Sequence, residues 1–287
     1  MIRKLSRSVM IEFPVRLFSM YFSLIDKLVK STSYLHAQKI YHELGNRLPL
    51  TFTHEGIVFD AATKTTMSRG YRLLTKEPDT INWLDDYLAV GHTFYDVGAN
   101  IGVYSLYAAK RGNTVVAIEP ESSSYAILNK NIYLNGFDRH VTALNLALYD
   151  QEVLSVLNIS NFQPGKSGHS FHDEVDTNLI SCNSEFHQAV IGIPLDTLIS
   201  RYDLEFPNLI KIDVDGNEHK ILEGMSKTLG DKRLKSIAVE TNLNIDAHKQ
   251  LEEFLCSFGF RLLNESRYVN AEYEKVGTPN RFFLRDT

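Results

Sequence analysis

Four carboxylates stand at the ends of apolar runs in this 287-residue chain: Asp96 after Thr93-Phe94-Tyr95, Glu119 after Thr114–Ile118, Asp213 after Leu209–Ile212, and Glu240 after Ser236–Val239. Such runs read as buried strands of a parallel sheet, and ligands of these sheets sit beyond the carboxyl ends of the strands. The acids are therefore expected to line one negative cleft. It would suit a cationic ligand and offer a proton acceptor for a hydroxyl.

Asp96 opens the run Asp96-Val97-Gly98-Ala99-Asn100-Ile101-Gly102, which leads into a helix-like stretch from Val103 to Lys110. Gly98 and Gly102 allow a sharp turn and let a ligand approach without a Cβ in the way. Glu119 closes the next strand and is placed to accept hydrogen bonds from two ribose hydroxyls. Strand, glycine turn, helix, strand and acid make a nucleoside-binding half of an α/β sheet. The dinucleotide fingerprint is G-x-G-x-x-G, whereas here the glycines are spaced Gly98-x-x-x-Gly102 behind Asp96. A carboxylate at the strand tip would repel a pyrophosphate. S-adenosylmethionine carries an ammonium and a sulfonium and no phosphate, so the arrangement favours it over NAD.

Methyl transfer is an in-line displacement at carbon. It needs the acceptor held about 3–3.5 Å from the methyl, and for a hydroxyl acceptor a base adds roughly 10²–10⁴-fold. Asp213 is the first candidate for that base and Asp215 the second, with Glu218 behind them. Asp215 could instead cap the following helix, and Glu218 could simply complement its positive end. Asp213, Glu240 and Asn242 form an alternative oxygen-ligand set for a divalent metal. His248 reads as a surface or core histidine, with a substrate ligand or base as the alternative. His169, His172 and His187 lie in a polar tract, residues 158–187, with the irregular spacing of a solvent-facing or substrate-covering loop.

These residues need a scaffold. Residues 1–50 read as a helical extension and 51–287 as the cofactor-binding domain. Short strands are expected at Leu50–Phe52, Gly56–Phe59 and Tyr71–Leu74, followed by a helix from Asp79-Thr80 to about Leu88. Sheet strands are expected at 93–97, 114–118, 141–147, 190–194, 208–214 and 236–239, with helices at 103–110, 122–134, 196–202, after Asp215 to Leu229, and 246–257. Phe260–Leu263 and Arg281–Leu284 read as a closing antiparallel hairpin. The whole is a mostly parallel, Rossmann-like α/β sheet.

Thirty Lys and Arg against 35 Asp and Glu give a formal charge of −5, which argues against a general nucleic-acid binder. Cys182 and Cys256 form no disulfide framework or zinc spacing, so a reducing, cytoplasmic setting is expected. No apolar stretch is long enough to span a bilayer, and Glu12, Pro14 and Arg16 interrupt what would be a signal peptide. After Pro14, residues Leu17, Phe18, Tyr21, Leu24, Ile25 and Leu28 share one helical face. That face would pack on the domain or on a second subunit, or lie on an anionic membrane surface.

Asp96-Val97-Gly98-Ala99-Asn100-Ile101-Gly102, Ile118-Glu119-Pro120, Pro194-Leu195-Asp196-Thr197-Leu198 and Ile210-Lys211-Ile212-Asp213-Val214-Asp215-Gly216-Asn217-Glu218 together resemble the FkbM-type methyltransferase family, over roughly residues 70–240. The family's usual glutamate before that glycine is Asp215 here. The resemblance implies a class I, S-adenosylmethionine-dependent fold and transfer to oxygen. Its acceptors include sugar hydroxyls and hydroxyls of polyketide-like metabolites. It also implies that the turn from Gly98 through Ala99, Asn100 and Ile101 to Gly102 holds the amino-acid part of the cofactor, and that Glu119 binds the ribose. Pro120 would bound the adenine slot, Asn145 to Leu148 (Asn145 and Ala147 among them) would line its far side, and Asp213 would sit near the reacting methyl. The leading expectation is an O-methyltransferase acting on a saccharide or other small hydroxylated acceptor. An NAD-linked oxidoreductase and a non-catalytic S-adenosylmethionine or nucleotide-binding module are the alternatives.

Overall fold

The computed structural model describes residues 51–172, 184–242 and 245–285, with isolated positions before Thr51. The chain divides into two compact units, Met1–Leu50 and Thr51–Thr287. The helix expected after Pro14, with its membrane or dimer surface, lies outside the described residues.

The second unit opens with an antiparallel pair, β1 (Thr51–His54) and β2 (Ile57–Asp60), then helices α1 (Lys64–Tyr71) and α2 (Pro78–Tyr87). The central alternation follows: β3 (Thr93–Val97), α3 (Val103–Lys110), β4 (Thr114–Ile118), α4 (Ser122–Asn135) and β5 (Val141–Leu144). Next come β6 (Ala147–Leu148), β7 (Val153–Ile159), β8 (Ser170–Phe171) and β9 (Phe186–Ile193), and then α5 (Leu195–Tyr202). The chain returns to the main sheet with β10 (Leu209–Ile212), α6 (Glu218–Glu223), α7 (Ser226–Gly230) and β11 (Ser236–Glu240). It closes with α8 (Leu251–Ser257), β12 (Phe260–Leu262), α9 (Ala271–Val276) and β13 (Asn280–Arg285).

The main sheet has the order β5-β4-β3-β10-β11-β13-β12. The pairs from β5 to β11 are parallel, and β13 runs antiparallel to both β11 and β12. This is the mostly parallel class I methyltransferase arrangement expected. Strand order reverses between β3 and β10, where Asp96 is level with Lys211 and Val97 with Ile212. An open α/β sheet makes its ligand crevice at such a switch point.

Both faces of the sheet are covered, which is why its strands are apolar throughout. Along β3, Phe94 joins a core with Trp83, Leu106, Leu128 and Phe282, while Tyr95 turns to the other core with Ile210, Ile212, Leu195 and Leu222. Each such fully buried side chain contributes about 1.5–3 kcal/mol. Trp83 also satisfies its indole N–H on Ser236 Oγ at 2.8 Å, as a buried indole needs. α4 starts where Glu121 caps the backbone N–H groups of Ser123 and Ser124, and stops at left-handed Gly136. From α4, the Asn131 amide donates to Ile101 O at 2.9 Å, and its oxygen accepts from Asp60 N at 2.7 Å. The glycine turn is thereby tied to β2 through one buried side chain.

Four local expectations need correction. Tyr71–Leu74 is not a strand: Tyr71 ends α1, which Thr63 starts with a capping box. The strand from Val141 ends at Leu144, and Ala147–Leu148 pairs with β9 in a second, four-stranded sheet of order β6-β9-β7-β8. The polar tract 158–187 is thus bounded by strands rather than loop throughout. The closing strands do pair, but α9 separates them and β13 inserts between β11 and β12, so they are no simple hairpin.

Candidate functional site

The turn after β3 is fixed by its own backbone. Gly98 N and Ala99 N both donate to Ile118 O, at 2.9 and 3.0 Å, and Asn100 takes a left-handed φ of 53°. Asn100 N donates to Glu119 Oε2 at 2.7 Å, and Glu121 N to Glu119 Oε1 at 2.8 Å. Burial pushes the Glu119 carboxyl up to about 8 despite those two donors. Both glycines have positive φ, and the space each leaves open is filled by protein. A Cβ on Gly98 would stand 1.8 Å from Asp213 O, and one on Gly102 would stand 2.4 Å from Leu128 Cδ1. The glycines thus serve close approach of chain to chain first, not the ligand approach expected from the sequence.

The cleft lies at the switch point. Its lining includes Gly98, Asn100, Glu119, Pro120, Asp213 and Asp215, with Ala147 and Glu240 at its sides. Leu146, Leu148, Leu157 and Phe171 supply apolar wall. Asp96, Ala99, Ile101, Gly102 and Asn145 are not part of the lining. Asp96 is 1% exposed; its Oδ2 accepts from Ser105 Oγ at 2.6 Å, and its Oδ1 has no partner among the described residues. Asn145 acts from behind, its amide donating to Glu119 O and Pro120 O.

The acids do not stand alone in the cleft. Asp213 pairs with Lys211, a lysine only 1% exposed beneath it. Burial raises the Asp213 carboxyl, but Lys211 and Lys76 outweigh burial and hold it at about 2. Burial would likewise lower Lys211; the carboxylates of Asp213, Glu77 and Asp96 raise it instead. Lys211 also lies over the Tyr104 ring at 5.1 Å, and Tyr104 OH donates to Glu77 Oε2 at 2.8 Å. Glu77 in turn pairs with Lys76. Arg69, Lys76 and Lys166 line the cleft together with the acids. Burial and the neighbouring charges of Asp213, Glu218 and Asp215 push Glu240 well above its ordinary value.

Asp215 is not the helix cap considered from the sequence. With φ of 62°, it turns its Oδ2 to accept from Gly168 N at 2.7 Å. Asn100 Nδ2 donates to Lys166 O at 2.8 Å, Gly165 N donates to Ser124 Oγ at 3.0 Å, and Arg69 Nε donates to Gly165 O. Four residues from separate elements thus pin the segment Gly165–His169 across the cleft, so this part of the polar tract is an ordered cover. Glu218 is drawn away from the cleft. It is 1% exposed, and its carboxyl oxygens accept from Val214 N and Gly216 N at 3.0 Å each. Burial raises Glu218 to about 8. His248 Nδ1 accepts from Asn242 N at 3.0 Å and its Nε2 faces Gly216 O at 3.2 Å, while burial lowers it to about 4. Glu218, Asn242 and His248 therefore brace the loop after β10 from outside the cleft.

Among the described residues, no three His, Cys, Asp or Glu side chains are grouped to hold a metal. The three tract histidines part company: His169 lines the cleft, His172 contacts Ser155, and His187 contacts Asn158. Arg69, Lys76 and Lys166 are the site residues that sequence reading missed. The first two lie upstream of the glycine turn, and the third sits between Asn161 and Gly168 with no motif around it.

The family model described as methyltransferase FkbM domain matches residues 96–262. The hexuronic acid methyltransferase AglP of Haloferax volcanii is 26% identical over 175 residues, 61% of this chain and 66% of that protein. The methyltransferase sdnD of Sordaria araneosa is 27% identical over 192 residues, 59% of this chain and 74% of that protein. The chain thus spans just under two thirds of the first relative's length. Among solved structures, the methyltransferase FkbM of Methylobacillus flagellatus aligns with a TM-score of 0.47 and 14% identity, covering 78% of this chain and 55% of that one. Carrying the family's domain over more than half its length, the chain belongs to the FkbM methyltransferases.

Proposed function

We propose that the protein transfers a methyl group from S-adenosylmethionine to a hydroxyl of a saccharide or another small hydroxylated acceptor. The observation that carries this reading is that Glu119 and Asp213 open into one cleft on either side of the Gly98 turn. The residues fit the donor. Each Glu119 oxygen takes one backbone N–H and keeps a lone pair for a ribose hydroxyl. Leu146 and Leu148 offer apolar wall for a purine beside Pro120. The buried, unpartnered Asp96 Oδ1 supplies negative potential under the turn, where an ammonium would lie.

When bound, S-adenosylmethionine supplies an electrophilic methyl group on a positively charged sulfur. Asp213, fixed by Lys211, is the group to accept the acceptor hydroxyl's hydrogen bond and point its oxygen in line. A carboxylate held at about 2 is a weak base. It suffices here, because a hydroxyl proton becomes strongly acidic only as its oxygen gives electrons to carbon. Asp215 holds the Gly165–His169 cover over the cleft. Glu218 acts as a positioning residue behind both. The hexuronic acid in the name of one relative supports a sugar acceptor.

The test is incubation with methyl-labelled S-adenosylmethionine and a panel of glycosides and nucleotide sugars. Alkali-stable label in a product ether is expected. Alkali-labile label (a methyl ester), or label on nitrogen, would contradict transfer to a hydroxyl.

A further inference from the structure

Resting on the methyl-transfer reading, we infer that the acceptor is an anion, a hydroxylated molecule whose carboxylate or phosphoryl group is held by Arg69 with Lys166. Both residues line the cleft and are half-buried. Neither forms an ion pair among the described residues. The neighbouring cations differ, for Lys76 is matched by Glu77 and Lys211 by Asp213. The charges of Arg69 and Lys166 are therefore open to an anionic group of a ligand.

Arg69 is also prepared for the task. Its Nε donates to Gly165 O, which fixes the guanidinium plane and leaves its outer N–H groups for a bidentate oxyanion. Its charge reaches both Asp213 and His169, so the anion would lie beside the carboxylate that orients the hydroxyl. The nearby acids do not forbid this. Asp213 is offset by its ion pair with Lys211, and burial with its acidic neighbours raises the Glu240 carboxyl above its ordinary value. A molecule with its hydroxyl and its anionic group on one small ring meets both demands.

The test is calorimetry on the full chain saturated with S-adenosylhomocysteine, using three probes: methyl β-D-glucuronoside, glucose 1-phosphate and neutral methyl β-D-glucoside. At least one charged probe is expected to bind about tenfold or more tighter than the neutral one, and the stronger of the two tells carboxylate from phosphoryl. Lys166→Gln should shrink that gap with S-adenosylhomocysteine affinity unchanged; Arg69→Gln should shrink it too, and Arg69→Lys should keep part of it. Lys166→Gln leaves the cover in place, because the Lys166 backbone carbonyl, not its side chain, holds Asn100. Equal binding of the three probes, or none by the charged ones, overturns the inference. So does weaker S-adenosylhomocysteine binding by Arg69→Gln with an unchanged probe preference, which would assign the guanidinium to the cofactor's own carboxylate. Failure of S-adenosylhomocysteine to bind the wild type would instead sink the methyltransfer reading beneath it.

Discussion

The carbonyl oxygen of Asp213 lies 1.8 Å from the point where a Cβ on Gly98 would stand. The Gly98 turn and the Asp213 end of β10 are thus locked by direct backbone contact across the switch point. Gly98 also has φ of 79°. Gly98→Ala should destabilise the fold by about 2–5 kcal/mol, the sum of left-handed strain and overpacking. Chemical denaturation without ligand checks it. Full stability with only cofactor binding lost would show that the space belongs to the ligand.

The Lys211–Asp213 pair yields a second expectation. Lys211→Met leaves Asp213, Glu77 and Asp96 without their buried cation and should cost about 3–5 kcal/mol. Adding Asp213→Asn should recover about 1 kcal/mol or more, since the two residues share one interaction. Additive losses in the double variant would deny the coupling. Asp213→Asn alone should lower turnover at least about tenfold while S-adenosylmethionine affinity stays within about twofold.

Stability should depend on pH through Glu119 and Glu218. Both have an ordinary value of 4.5 and sit at about 8 in the fold, burial being the main cause. Between those values the native state holds more protons than the unfolded chain. Their contribution is therefore full below 4.5 and is lost as pH rises through about 8. His248, lowered from 6.5 to about 4, acts in the opposite sense but only below 6.5. The melting temperature of the ligand-free protein should accordingly fall between about pH 6.5 and 8.5 by at least about 2–4 °C, and Glu218→Gln should reduce the fall. A flat profile, or one that rises, would refute the assignment.

Asp215→Ala removes the acceptor of the Gly168 N–H. Amide exchange in the segment Gly165–His169 should then speed up by about tenfold or more while β3 and β4 stay protected. Unchanged exchange would mean that the cover is held without Asp215.

Much of this architecture was legible because its signals are local. Thr93–Val97, Val103–Lys110 and Thr114–Ile118 form as read from apolar runs and a glycine turn. The second sheet was hidden because its strands are short or amphipathic and separated by a polar tract, and Ala147–Leu148 continues the apolar run of β5. Tyr71–Leu74 looked like a strand from its aromatic and branched residues, yet the Thr63 cap makes the preceding segment helical. The acids at the strand tips reach the switch point, but their charge state depends on long-range partners. Nothing near Asp213 in the sequence announces Arg69, which arrives from α1, or Lys76, which arrives from the turn between α1 and α2.

The central claim is that this cleft takes S-adenosylmethionine through Glu119. Calorimetric titration of the full chain with S-adenosylmethionine and with NAD, for wild type and Glu119→Gln, tests it most directly. S-adenosylmethionine should bind more tightly than NAD, and the substitution should weaken it roughly tenfold. Tighter binding of NAD, or a Glu119→Gln protein that binds S-adenosylmethionine as well as the wild type, would contradict it.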